Sequence, residues 1–88
     1  MEKIKVIEDF IFNKVVSQCN LLGIEIPKLG KDLDLVKEGI FDSLTFIDLI
    51  AECESEFGII IELEKYNPSE FTRFKKLSEI IELTLRST

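Results

Sequence analysis

Apolar residues recur at three- and four-residue steps in the first segment of the chain, from residue 2 to about residue 20. The series with this spacing is Ile4, Ile7, Ile11, Val15, Cys19 and then Leu22. Such spacing places apolar side chains on one face of an amphipathic helix. Gly23 predicts the end of this helix, because glycine readily adopts the backbone conformation that closes a helix.

The sequence of residues 23–42 predicts a long connection between the first and the second helix. The segment holds three glycines and one proline, together with these apolar residues: Ile24, Ile26, Leu29, Leu33, Val36, Ile40 and Phe41. So many apolar side chains indicate a connection that packs on a core. A long connection in a small domain is uncommon unless it serves a function.

Two further helices and one short helical turn follow the connection. We predict the second helix from about Ser43 to Phe57, with Gly58 as its end. We also predict a short helical turn in "NPSEF", since Pro68 suits a first helical position. We predict a last helix from about residue 73 to residue 85. One series of its apolar residues is expected to face the core: Phe74, Leu77, Ile80, Ile81 and Leu85. The predicted fold is one all-α domain over residues 1–88. It is a four-helix bundle with three main helices, one short helix and a long first loop.

The second helix has two apolar faces. At about 100° per residue, one stripe gathers the residues expected in the core: Phe46, Leu49, Ile50, Cys53 and Phe57. The opposite side also carries apolar residues, namely Leu44, Ile47 and Ala51. Asp48 lies among them.

Glu52 and Glu54 flank this second apolar strip. An apolar strip edged by acids indicates a docking surface for a partner. The alternative is that the long loop folds over the strip and buries it. The sequence leaves both open.

Composition limits the class of protein. The 88 residues carry 11 basic and 17 acidic side chains, for a net charge of −6. This balance argues against a nucleic-acid ligand and favours partners with basic surfaces. The start "MEKIKVIEDF" lacks the apolar core of a signal peptide, and no apolar run approaches the roughly 20 residues of a membrane helix. We expect a monomeric, cytoplasmic protein that does not insert into membranes.

Candidate catalytic and metal-binding residues are scarce. The chain has no histidine, the commonest general base, so we do not expect an enzyme. Cys19 and Cys53 fall at apolar helix positions, which indicates a core role and no zinc site or redox centre. The run "DLDLVKEGIFDS" resembles a calcium loop only in Asp32 and Asp34. It lacks the sixth-position glycine and has Ser43 where a bidentate Glu belongs.

Ser43 is the candidate for a modified residue. Asp42 can cap the second helix alone, and Phe46 stands where a capping box opened by Ser43 would need Glu or Gln. A hydroxyl at a helix start also lies where backbone N–H groups and the helix dipole favour a phosphodiester. Capping and modification both remain possible from these residues alone.

The segment "EGIFDSLTFIDLIAECESEFGIIIE", residues 38–62, resembles the attachment segment of the acyl carrier protein family. The likeness lies in Gly39-Ile40-Phe41, Asp42-Ser43-Leu44, the apolar spacing of the helix, Glu56-Phe57-Gly58 and Ile61. It implies that a phosphopantetheinyl transferase modifies Ser43 with coenzyme A and Mg²⁺, with Asp42 as a flanking motif residue. The thiol of the arm would hold an acyl or aminoacyl group as a thioester.

The resemblance implies partners as well as a cofactor. These are the transferase, an acyl- or aminoacyl-loading ligase and downstream acyl-processing enzymes, which would bind Leu44, Ile47, Asp48, Ala51, Glu52 and Glu54. Ala51 and Ser55 interrupt the acids that fatty-acid carriers commonly place along this face. The segments "EFGI" and "NPSEF" look closer to D-alanyl, aminoacyl or specialised-pathway carriers than to a housekeeping fatty-acid carrier. The alternative function is an unmodified acidic module that binds a basic partner.

Overall fold

The computed structural model describes residues 3–27 and 33–87, and these ranges form a helical bundle. The elements are α1 (Lys3–Leu22), α2 (Ser43–Phe57), a 3₁₀ turn (Leu63–Lys65), α3 (Pro68–Phe71) and α4 (Phe74–Arg86). Three long helices and one short helix confirm the predicted all-α architecture. Among the described helices, none combines the length and the apolar content that a membrane span requires.

The predicted core face of α1 is confirmed along most of the helix. Ile7, Ile11, Val15 and Cys19 are fully buried. The prediction was wrong for Leu22, which is 47% exposed, because residues 20–26 all lie beyond the buried part of the bundle. The helix ends as expected at glycine: Gly23 has φ of 72°, and the next N–H reaches back 3.0 Å to the Cys19 carbonyl.

The core stripes of α2 and α4 are also confirmed. The buried residues are Phe46, Leu49, Ile50 and Cys53 on α2, and Phe74, Leu77, Ile80 and Ile81 on α4. Phe57 is half-buried, and its ring meets the ring of Phe10 edge to face at 5.5 Å between centroids. Ser78 is buried as well, and its hydroxyl donates to the Phe74 carbonyl at 2.9 Å. The apolar pattern did not indicate this buried serine.

The second half of the long connection is tied to the junction of α3 and α4. The Leu35 N–H donates to the Thr72 carbonyl at 2.8 Å, and the Phe74 N–H donates to the Leu33 carbonyl at 2.7 Å. Leu35 is fully buried, although it was not among the predicted core residues. The Phe41 N–H returns to the Leu35 carbonyl at 3.0 Å. These bonds fix the backbone that leads into α2.

The apolar residues of the connection divide into two groups. Ile40 and Phe41 are buried and Leu33 and Val36 are partly buried, as predicted. Ile24 and Ile26 are exposed at 43% and 44%, so the expectation that they pack on the core was wrong. Both residues follow the exposed C-terminal end of α1, and they lie outside the core. Leu29 lies outside the described residues.

Candidate functional site

The start of α2 is closed by a reciprocal cap between Asp42 and Thr45. An Asp42 Oδ1 atom accepts the Thr45 N–H at 2.8 Å, and Thr45 Oγ1 accepts the Asp42 N–H at 2.9 Å. Asp42 is thus the helix cap, as the sequence suggested. The Thr45 half of this box was not predicted, because the only capping box weighed from the sequence was one opened by Ser43. The D-x-x-T spacing was the signal.

The cap also sets the ionisation of Asp42. The hydrogen bond from the Thr45 N–H, followed by that from the Thr45 hydroxyl, lowers the pKa of the Asp42 carboxyl below its ordinary 3.8. Both bonds favour the carboxylate over the neutral acid. Asp42 therefore holds the first turn of α2 as an anion at neutral pH.

Ser43 is the first residue of α2 and lies between the two capping residues in sequence. Its side chain is exposed, and its hydroxyl forms no hydrogen bond to any of the residues that the structure describes. An exposed, unengaged hydroxyl can act as the acceptor of a phosphodiester-linked group. The helix start adds N–H groups and a positive dipole end beside that position.

The apolar strip on α2 faces solvent. Leu44 is 73% exposed, Ile47 is 54% exposed, and Ala51 is exposed one turn further on. For the described part of the long loop, residues 23–27 and 33–42, the alternative in which the loop buries this strip is therefore wrong, and Leu33 and Leu35 bond to the junction of α3 and α4 instead. The strip continues from Ser43 along the same helix.

The three acids near the strip have different surroundings. Asp48 is exposed and has neither an ion pair nor a hydrogen bond within the described ranges. Glu52 lies 2.9 Å from the Lys14 ammonium of α1. Glu54 is half-buried, and its Oε2 accepts the Ile61 N–H at 2.7 Å. The last two contacts were not foreseen, because each joins segments that are distant along the chain.

Both cysteines belong to the core, which confirms the sequence interpretation. Cys19 and Cys53 have no exposed surface. Burial, and then the negative charge of Glu52, raises the pKa of the Cys53 thiol to about 12. Burial also raises the pKa of Cys19. Both shifts favour the neutral thiol at neutral pH, as expected for cysteines packed in a core.

Comparison with protein families matches residues 18–83 to the phosphopantetheine attachment site family. This range covers well over half of the chain and includes the whole of α2. The chain therefore belongs to this family and is a carrier with a covalently attached phosphopantetheine group. Carrier domains of this kind are not themselves catalytic and interact with enzymes such as transferases and ligases. Comparisons with curated proteins and with solved structures found no significant match.

Proposed function

We propose that the chain holds an acyl or aminoacyl group as a thioester on a phosphopantetheine arm attached to Ser43. One observation supports this assignment above the others: Ser43 exposes an unengaged hydroxyl while its neighbours Asp42 and Thr45 cap the helix. The site thus combines a backbone fixed by the cap with a hydroxyl that forms no hydrogen bond to the described residues.

The residues of this chain supply position more than chemistry. A serine hydroxyl is a weak nucleophile unaided, and the chain has no histidine to activate it. The transferase must therefore supply the base, coenzyme A and Mg²⁺. When bound, the arm supplies a flexible, thiol-ended tether. The tether raises the effective concentration of the cargo at a partner's active site.

The strip of Leu44, Ile47 and Ala51, with Asp48 among them, is the proposed docking face. It begins one residue after the attachment point, so a partner seated on it would receive the arm directly. Glu52 and Glu54 flank the face. The partners we infer are a phosphopantetheinyl transferase, a loading ligase and downstream acyl-processing enzymes with basic surfaces, in the cytoplasm.

The cargo class is a further part of the proposal. Ala51 and Ser55 interrupt the acids along α2, and Thr45 and Phe46 follow the Asp-Ser-Leu triplet. This pattern favours a D-alanyl, aminoacyl or specialised-pathway carrier over a housekeeping fatty-acid carrier. Loading assays with purified ligases of each class separate these cargoes.

Intact mass tests the attachment. The chain is incubated with coenzyme A, Mg²⁺ and a broad-specificity transferase, beside Ser43→Ala and the control Ser55→Ala, which changes another exposed serine of α2. We expect one phosphopantetheine mass on the natural chain and on Ser55→Ala, and none on Ser43→Ala. A natural chain that gains no mass would favour the unmodified interaction module. A modified Ser43→Ala chain would place the attachment elsewhere.

A further inference from the structure

Lys14 of α1 neutralises one of the acids beside the docking face. Its ammonium lies 2.9 Å from Glu52 Oε1, and both side chains are partly exposed, at 37% and 52%. An ion pair at this distance leaves little net charge at Glu52 for a partner to bind. The acid is present in the sequence, but its charge is largely cancelled on the surface.

The position of Lys14 is fixed by more than the ion pair. Its ammonium also lies 5.2 Å from the centroid of the Phe10 ring, a distance at which a cation is attracted to an aromatic face. Phe10 in turn packs edge to face on Phe57 of α2. One contact to Glu52 of α2 and one to Phe10 within α1 therefore position the Lys14 ammonium at this surface.

Lys14 also reaches the groove between α1 and α2 that borders the docking face. This groove, of about 440 Å³, is lined by Asp48 and Glu52 from α2 and by Lys14, Gln18 and Leu21 from α1. A partner that uses several cations to bind Asp48 and Glu52 would therefore bring one of its cations close to the Lys14 ammonium. Like charges placed together at an interface disfavour that partner.

Asp48 is exposed and is the most accessible unpaired acid of the three. One oxygen of the Glu54 carboxylate accepts the Ile61 N–H and the side chain is half-buried, so Glu54 is less accessible to a partner than Asp48. Within residues 3–27 and 33–87, Asp48 has neither an ion pair nor a hydrogen bond. The docking face thus presents an apolar strip with one unpaired carboxylate.

We propose that Lys14 is a specificity residue. Its ion pair makes Glu52 less available to partners, and this restricts docking to partners with an apolar cleft and a single cation opposite Asp48. Partners that require a row of carboxylates are disfavoured. This inference rests on the proposed function, because it assigns the kind of partner that the same face accepts. Among the enzymes named above, those that place one cation opposite Asp48 should then be better partners than those that place several cations along the face.

The test measures the second-order rate of modification by a transferase with a basic docking surface, at low and high ionic strength. Lys14→Gln uncovers Glu52, so we expect a rate increase of about two- to five-fold at low salt and a steeper salt dependence. Lys75→Gln is the matched control, since it removes the charge of an exposed lysine on α4. The double variant Lys14→Gln/Glu52→Gln should return to the rate of the natural chain.

Glu52→Gln alone provides a second test, which is independent of whether the Lys14→Gln variant folds. It leaves the Lys14 cation uncompensated beside Asp48, so we expect a lower rate at low salt. Equal rates for Lys14→Gln, Lys75→Gln and the natural chain, with the natural chain modified, would overturn the inference and leave the proposed function intact. A natural chain that is not modified would overturn both.

Discussion

Asp42 and Thr45 exchange two hydrogen bonds across the first turn of α2, each side chain accepting the backbone N–H of the other residue. The turn between them contains Ser43, whose hydroxyl takes no part in the exchange. In this protein the cap and the candidate attachment point are therefore separate residues. A change at one should be measurable without loss of the other.

Stability should distinguish Ser43 from Thr45. Ser43→Ala should change the free energy of unfolding by less than about 0.5 kcal/mol, because alanine is the better helix former and no hydrogen bond is lost. Thr45→Ala should lower it by about 1 kcal/mol, because the Asp42 N–H loses its acceptor. Urea unfolding followed by circular dichroism measures both. Equal losses would mean that Ser43 also supports the cap.

The contribution of Asp42 to stability should depend on pH. Its pKa is lowered by the bonds from Thr45, so the stabilisation is fully present above the ordinary value of 3.8 and is lost as the pH falls through the folded-state pKa. Asp42→Ala should therefore lower the melting temperature at pH 7, and the difference from the natural chain should shrink below pH 3.8.

Asp42→Asn provides the control for this titration. Asparagine caps helices but carries no charge, so the gap between Asp42→Asn and Asp42→Ala should not change with pH. If the gap between the natural chain and Asp42→Ala stayed constant through the acidic range, the lowered pKa would be contradicted.

Glu54 should matter first to the fold. Its carboxylate accepts the Ile61 N–H at 2.7 Å and so anchors the segment after α2, where Ile61 is buried. Glu54→Ala should cost about 1 to 3 kcal/mol in unfolding free energy. Glu54→Gln, which keeps an acceptor oxygen, should cost less. Indistinguishable stabilities for the two variants would show that this bond contributes nothing.

Ile47 should matter to partners more than to folding. It is 54% exposed on the docking face, so Ile47→Asp should leave the melting temperature nearly unchanged while the rate of transferase modification falls several-fold. Leu83→Asp on α4 is a matched control, because Leu83 has the same exposed fraction. A large fall in melting temperature for Ile47→Asp, or equal rates for the two variants, would contradict a docking role.

The sequence predicted most of the helices and the core faces, because three- and four-residue spacing is a local property. The buried positions of α1, from Ile7 to Cys19, follow directly from it. The contacts of Lys14 with Glu52 and of Glu54 with Ile61 join segments that only the folded chain brings together. No local pattern encodes them. Leu35 is likewise buried in the core, and its N–H bonds to the carbonyl of Thr72, 37 residues away along the chain.

The candidate site was more predictable than the surface around it. Asp42 could be assigned as the cap because capping depends on neighbours in sequence, and the Thr45 half of the cap had a local signal as well. Ser43 stays a prediction from the family resemblance. The ion pairs and hydrogen bonds of the acids were harder to predict, because the sequence shows their net charge but not their partners. For this reason the sequence separated Asp48 from Glu52 and Glu54 only by position on the helix, and the structure added the ion pair of Glu52 and the hydrogen bond of Glu54.

Site localisation tests the central claim most directly. The natural chain, modified with coenzyme A and the transferase, is digested and the peptides are fragmented by mass spectrometry. We expect the phosphopantetheine mass on fragments that contain Ser43, and on none that contain only Ser17, Ser55, Ser69, Ser78 or Ser87. A fragment series that places the group on any serine other than Ser43 would contradict the attachment proposed here.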